Sequence, residues 1–320
     1  MQTILINKND AGQRIDRFLK KYFEKANLSF IYKNLRKKNI VVNKKKVVPE
    51  FILSEGDKID LFLSDDTIKK FQTGEKELRR GKNYPIVIYE DENIILMNKP
   101  AGILSHNDSK VFEKNMVDMM GDYLIARGEY VPRVENSFRP AICNRLDRNT
   151  SGIIIGAKNA NSLRIINDAI KKHNVDKFYT TLVYGEVKAD FKDVSKLVKD
   201  EKNNKVRVSK TEGKDSITEF SVVKSEKYSL LSVKLITGRT HQIRIVLKSK
   251  GFPIVGDIKY GNEHINRKFL EKYGYKSQFL HNNKIVFGNL EGDLSYLKGK
   301  IFEVDLPEKE SKIVKDIFGD

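Results

Sequence analysis

Apolar residues return with a helical period near the start of the chain: Ile15, Phe18, Leu19, Tyr22 and Phe23 stand at i, i+3, i+4, i+7 and i+8. That spacing gathers them on one face of an amphipathic helix. Ser29 can cap a second helix, with Ile31 and Leu35 turned inward. The run IVVNKKKVV predicts two short β-runs around a polar turn from Asn43 to Lys46, and LSEGDKIDLFL a further turn and strand. The order helix, helix, hairpin, strand is complete by about residue 63. The polar, weakly periodic stretch Ser64–Lys82 reads as a linker, dividing the chain into 1–63, 64–82 and 83–320.

Beyond that stretch the pattern turns to strands. Candidates are Ile86–Tyr89, Ile94–Asn98, Gly152–Ala157, Lys177–Val187, Ile217–Lys224, Leu230–Leu235, Lys284–Phe287 and Lys300–Asp305. Two segments keep a helical period: Asn161–Lys172, through Leu163, Ile166 and Ile170, and Thr240–Lys250, through Ile243, Val246 and Leu247. Strands with few helices between them predict an α+β fold with a mixed, mostly antiparallel sheet, beside a small α/β module at the N-terminus.

Composition narrows the class. At 320 residues, 39% hydrophobic and 32% charged, the chain reads as globular and large enough for more than one core. No apolar run reaches the length of a membrane span, and MQTILINKND has neither the basic start nor the apolar core of a signal peptide, so no membrane association is expected. Cys143 is the single cysteine, which excludes an intramolecular disulfide and fits a reducing, cytoplasmic setting. His106, His173, His241, His264 and His281 are scattered without metal-ligand spacing. Neither GxGxxG nor GxxxxGKS/T is present, so no metal or cofactor is expected, and the chain is expected to be a monomer.

The formal net charge of +17 points to a polyanionic partner, provided that the charge clusters. It does: Lys33, Arg36, Lys37, Lys38, Lys44, Lys45 and Lys46 fall between Ser29 and Val48 with no acid among them. Lys33, Arg36 and Lys37 share a helix face, and Lys44–Lys46 crown the following turn. A solvated lysine-rich face is the plain alternative; the missing counter-charge favours a phosphate backbone. Arg133 and Arg139 extend the basic track. The run QRIDRFLKKYF…LSFIYKNLRKKNIVVNKKKV…LSEGDKIDL resembles an S4 RNA-binding domain over roughly residues 12–62. That resemblance implies RNA as partner and leaves the chemistry open.

Asn144–Gly152 (NRLDRNTSG) carries the chemistry. Asp147 lies between Arg145 and Arg148, just before an apolar strand, and Thr150, Ser151 and Gly152 allow a sharp turn with donors near a carboxylate. Alone, the tripeptide RLD reads as a surface ion pair beside a turn. In context, NRLDRNTSG resembles the HRLDxxTSG motif of the RluA-type large-subunit rRNA pseudouridine synthases. YEDENIILMNKPAGILSH, KFYTTLVYGEV and TGRTHQIRIVLKSKGFPIVGDIKYG resemble the other motifs of that family, in the family's order, over about residues 84–262, with a weaker match in QFLHNNKIVF. Asn144 stands where a histidine is usual, and Val246 where a second histidine is common.

The resemblance implies isomerisation of uridine in RNA: the N1–C1′ bond breaks, the base turns, and C5 is joined to C1′. Asp147 is then the nucleophile; the sequence leaves open attack at C1′, attack at C6, or removal of a C2′ proton. A guanidinium beside it would favour its charged form, a role the resemblance assigns to Arg239. Tyr179 corresponds to the family tyrosine and would stack on a flipped base, its hydroxyl serving a late proton transfer from C5. Ile243, Arg145 and Asn144 complete the expected substrate pocket, although simple helix packing serves equally well for Ile243. Lys99-Pro100-Ala101-Gly102 reads as a turn shaping the cleft, His241 as a structural hydrogen bonder, and Gly256-Asp257 and Tyr260-Gly261 as turn scaffolding. The expected substrate is 23S rRNA. A tRNA substrate remains open, as does a non-catalytic RNA-binding ribosome assembly factor that kept the fold.

Overall fold

The computed structural model describes residues 2–72, 84–107, 113–130, 137–200, 205–209 and 211–319. The chain forms two compact units. One comprises Met1–Tyr84 with Met120–Ala141 and Asn159–Asn161; the other comprises Pro85–Met119, Ile142–Lys158 and Ser162–Asp320.

The first unit begins with β1 (Gln2–Leu5), then α1 (Ile15–Tyr22) and α2 (Leu28–Arg36). Ile15, Phe18, Leu19, Ile31 and Leu35 are buried, as their period requires. The cap of α2 is Asn27, whose side chain accepts from the Phe30 N–H at 2.8 Å; Ser29 lies two residues further on, within the first turn. β2 (Ile40–Val42) and β3 (Lys58–Leu61) follow, and the sheet order is β1-β3-β2, all antiparallel. Asn43 and Lys44 both take positive φ, 48° and 64°, closing a two-residue turn in which Val42 and Lys45 exchange backbone hydrogen bonds. The second β-run expected after that turn does not form, because pairing stops at the single Val42–Lys45 bridge. The first part of the expected linker is corrected: α3 (Asp65–Phe71), capped by Ser64, sends Ile68 into the N-terminal core, and the remainder, 73–82, lies outside the described residues. Only Ile68 and Phe71 supply apolar anchors there, so the period is hard to see in sequence.

The second unit is built on β4 (Ile86–Glu90), β5 (Ile94–Lys99), β6 (Ala141–Ile142), β7 (Ser151–Ala157), α5 (Ala160–Lys171) and β8 (Val175–Tyr184), while α4 (Met116–Ala126) belongs from Met120 onward to the first. β9 (Phe191–Asp200), β10 (Lys205–Ser209), β11 (Lys214–Ser225), β12 (Tyr228–Leu235), α6 (Gln242–Ser249) and α7 (Glu263–Tyr273) follow. β13 (Leu280–Phe287), a 3₁₀ turn (Gly292–Leu297), β14 (Ile301–Glu303) and α8 (Glu308–Phe318) complete it. The strands run β10-β9-β11-β12-β8-β13-β7-β5-β4, with β14 on β13 and β6 on β7. Only the β13–β7 pair is parallel among those described, which gives the mixed, mostly antiparallel sheet.

β7 is buried along its whole length, as its unbroken apolar run requires of a strand covered on both faces. Ile153 and Ile155 of β7 pack with Ile94, Leu96, Ile166, Ile285, Phe287, Leu294 and Leu297. Gly152 is demanded by the parallel pairing: its φ is +112°, and a Cβ there would lie 2.1 Å from the Asn282 carbonyl oxygen. The turn before β7 is thereby set against β13, and that turn carries Asp147.

Candidate active site

Two segments grip the backbone on either side of Asp147. The Ser105 hydroxyl donates to the Leu146 carbonyl at 2.7 Å and accepts from the Leu146 N–H at 3.0 Å. On the other side, the Lys99 ammonium donates to the Arg148 carbonyl at 2.8 Å, and to the carbonyls of Pro100 and Ile103 at 3.0 and 2.7 Å. Lys99 is fully buried, and burial pushes it down to about 7 against the opposing charge of Asp147. The Gly102 N–H adds a bond to the same Arg148 carbonyl at 2.9 Å. The Lys-Pro-Ala-Gly turn therefore shapes the site from beneath the Asp147 loop.

The far end of the loop is held from β13 and the residues before it. Gln278 Nε2 donates to Thr150 Oγ1 at 3.1 Å, Ser151 Oγ and His281 Nδ1 are 2.8 Å apart, and Asn282 Nδ2 donates to the Ile153 carbonyl at 3.1 Å. The segment QFLHNNKIVF is therefore the strap that positions the Thr-Ser-Gly turn.

The side-chain partner of Asp147 is Arg244, in the first turn of α6. Arg244 Nη1 donates to Asp147 Oδ2 at 2.6 Å. The rest of its fork is committed to Asp257, with Nε to Oδ2 at 2.6 Å and Nη2 to Oδ1 at 2.8 Å. Asp257 is buried and also accepts from the backbone N–H groups of Lys259 and Tyr260 at 2.9 and 3.0 Å. Burial opposes the Arg244 charge, but the hydrogen bond and charge of Asp257, and then of Asp147, outweigh it and raise its pKa. Asp257 is likewise held below the usual carboxylate range: burial works against this, and the Arg244 fork prevails. The guanidinium also lies over the Tyr260 ring, 5.2 Å from its centroid. Among the described residues, Asp147 Oδ1 accepts no hydrogen bond, and the Asp147 side chain keeps 28% of its surface exposed.

Tyr179, on β8, is 5% exposed, and its hydroxyl makes no hydrogen bond to a described residue. Burial, and then the negative charge of Asp147, raise its pKa. Strand alternation turns Phe178 the other way, beneath the Lys234 and Lys284 ammonium groups.

The RNA pseudouridylate synthase profile matches residues 93–249. An uncharacterized RNA pseudouridine synthase of Mycoplasma capricolum is 34% identical over 312 residues, covering 94% of this chain and 96% of that protein. The ribosomal large subunit pseudouridine synthases C of Vibrio parahaemolyticus and Escherichia coli are 32% and 31% identical, covering 100% and 90% of this chain and 96% and 88% of theirs. The chain belongs to the RNA pseudouridylate synthase family. Human RNA pseudouridylate synthase domain containing 4 superposes with a TM-score of 0.56 at 18% identity, over 72% of this chain and 91% of that one. Human RNA pseudouridylate synthase domain containing 1 gives 0.52 at 19%, over 74% and 86%. At such identities the likeness shows the fold alone, a pseudouridine synthase core.

Within this family fold, the site departs from the sequence reading at Arg239 and Asn144. Arg239 is not beside Asp147: it is exposed, precedes α6, and its Nε donates to the Asp215 carbonyl at 2.9 Å. The cause is local. Gln242 Oε1 accepts from the Arg239 N–H and from Thr237 Oγ1, both at 3.0 Å, fixing the loop outside the helix, while Arg244 enters on α6. Ile243 is buried on α6 immediately before Arg244. Asn144 does not line a pocket: its side chain donates to the Ile153 carbonyl at 3.1 Å and accepts from the Ile155 N–H at 2.8 Å, serving as an extra edge partner for β7. Arg145 is exposed and ion-pairs with no described residue, whereas Arg148 pairs with Glu113.

Arg244, Asp257, Tyr260 and Lys99 are site residues that the sequence reading missed or read as scaffolding. The signal was present for Arg244: a charge enclosed in Ile243-Arg244-Ile245-Val246-Leu247 has to be paired when the helix is buried. In the N-terminal unit, Lys33, Arg36, Lys37, Lys38, Lys44, Lys45 and Lys46 are all exposed, and none ion-pairs with a described residue. Arg139 pairs with Glu24, and Arg133 lies outside the described residues. No described helix is long and apolar enough to cross a membrane.

Proposed function

We propose that this chain converts uridines of large-subunit ribosomal RNA to pseudouridine, with the Asp147 carboxylate as nucleophile toward a flipped-out uridine. The observation that carries the reading is the asymmetry of Asp147: Oδ2 is held by Arg244, and Oδ1 has no partner among the described residues. A carboxylate anchored through one oxygen presents the other in a fixed direction, the preorganisation nucleophilic catalysis needs. The Asp147 carboxylate bonds C1′ as the N1–C1′ bond breaks and its electron pair stays on the base; the base turns while held in the site, C5 bonds to C1′ as the Asp147–C1′ bond breaks, and the C5 proton then leaves.

Tyr179 fits the base-holding part of this sequence. Its ring supplies a stacking face, and its hydroxyl has no competing partner among the described residues. Burial, and then the charge of Asp147, keep the phenol protonated; the family resemblance implies a part for that hydroxyl in the late proton transfer from C5.

The large-subunit assignment is supported by the relatives named ribosomal large subunit pseudouridine synthase C and by the exposed cluster Lys33, Arg36, Lys37, Lys38 and Lys44–Lys46, which ion-pairs with no described residue. We read that unit as an S4-type module that grips structured RNA through phosphates. The test is to incubate the pure protein with unmodified 23S rRNA and with tRNA transcripts and map pseudouridine chemically. New pseudouridines in the rRNA are expected; modification confined to tRNA, or none, would refute the assignment.

A further inference from the structure

His241 stands at the head of α6 with φ +54° and ψ 22°, a left-handed conformation that a residue with a Cβ adopts only when its surroundings hold it there. Its side chain is 13% exposed. Nδ1 lies 3.0 Å from Tyr260 Oη, and Nε2 lies 3.9 Å from Asp147 Oδ2. Tyr260 Oη accepts the Val206 backbone N–H at 3.0 Å.

These contacts decide the tautomer. The phenol oxygen has one hydrogen to give, and His241 Nδ1 is its only described acceptor. If Nδ1 carried the imidazole proton, the phenol hydrogen would be left without a partner in a buried site, which is costly. If Nδ1 accepts, each group is used, and the imidazole proton sits on Nε2, the nitrogen facing Asp147.

We propose that His241 is a positioning residue for Asp147: Tyr260 holds its ring with the proton on Nε2, and that N–H closes on Oδ2 when RNA binds, leaving Oδ1 as the reacting oxygen. The inference rests on Asp147 being the nucleophile proposed above. A separation of 3.9 Å is too long for a hydrogen bond, and such contacts tighten when substrate fills a site. The charge balance favours an uncharged donor. Arg244 is shared between Asp147 and Asp257, so the trio keeps one net negative charge for the reaction. A second cation on Oδ2 would cancel it. The groups facing the imidazole are Asp147, Arg244, Asp257, Lys259 and Tyr260. Burial is the main influence and lowers its pKa, Arg244 and Lys259 add to this, and Asp147 and Asp257 oppose it.

Two measurements on the full chain test the proposal, and the first needs no activity. With ¹⁵N-labelled histidine, His241 should show a bare Nδ1 and a protonated Nε2 at about pH 7 to 8, and Tyr260→Phe should abolish that preference. A protonated Nδ1 in the wild-type protein would overturn the proposal, whatever reaction the chain catalyses. In single-turnover tritium release from RNA labelled at uridine C5, His241→Ala should lower the rate about 30-fold with little change in KM. His241→Gln, which keeps an N–H near the place of Nε2, should recover most of that loss. His241→Ala combined with Tyr260→Phe should be no slower than His241→Ala alone. Equal losses for Ala and Gln, or losses that multiply in the double variant, would overturn the positioning role. A wild-type protein that releases no tritium would instead refute the functional reading.

Discussion

Arg244 meets Asp147 with one nitrogen and Asp257 with two: Nη1 to Asp147 Oδ2 at 2.6 Å, Nε and Nη2 to the Asp257 carboxylate at 2.6 and 2.8 Å. The guanidinium is thus aimed at Asp147 by a carboxylate that is itself buried. A planar fork can pair bidentately with Asp257 while a third N–H reaches Asp147, a geometry that the compact ammonium of lysine does not reproduce.

The first consequence concerns which arginine matters. Arg244→Lys should reduce single-turnover tritium release by about 100-fold, the scale of losing one preorganised electrostatic group. Arg239→Ala should leave that rate within about threefold, because its guanidinium bonds the Asp215 carbonyl on the surface. The reverse ranking would show that Arg244 is a structural ion and that Arg239 reaches the site.

Removing the orienting carboxylate should affect stability as well as rate. Asp257→Asn leaves a buried guanidinium short of one charge partner, a change that costs about 3–5 kcal/mol when a buried pair is broken. Urea unfolding should show that loss, and activity should fall further than the unfolded fraction accounts for. A variant as stable as wild type would mean that Asp147 alone can hold Arg244.

His281 ties the strap to the catalytic turn through Ser151. Burial lowers it from 6.5 to about 4, so it is neutral in the folded state. Between those values the unfolded chain binds a proton that the folded chain does not. This contribution is therefore complete above pH 6.5 and lost as the pH falls toward about 4, a range worth about 3 kcal/mol at most. Urea midpoints at pH 7.5 and pH 5 should differ in the wild type and differ less in His281→Asn. An identical pH dependence in both proteins would remove His281 as its source.

Elements with a strong period were legible before the structure was in view. α1, α5 and the buried β7 follow from apolar spacing alone, because burial of one stripe or one unbroken run decides them. The β9–β10 hairpin was not legible: FKDVSKLVKD is charged throughout, and Val194 remains 69% exposed in the fold. α7 and α8 escaped for the same reason, each carrying charges around a few apolar anchors such as Phe269 and Ile313. Within the site, Asp147 and Tyr179 are singled out by the family resemblance of their motifs. The choice between Arg239 and Arg244 did not, because it depends on a left-handed His241 that starts α6 after Arg239 has already passed. Lys99 shows a similar limit: a lysine ending an apolar strand reads as surface, and only the three carbonyls around it explain its burial.

The measurement closest to the central claim is tritium release from 23S rRNA labelled at uridine C5, comparing wild type with Asp147→Asn. The amide keeps the shape and an oxygen for Arg244 and removes the nucleophile's charge. The wild type should release tritium with multiple turnovers, and Asp147→Asn should release none above background while retaining RNA binding. Undiminished release by Asp147→Asn would contradict the assignment of Asp147 as the nucleophile.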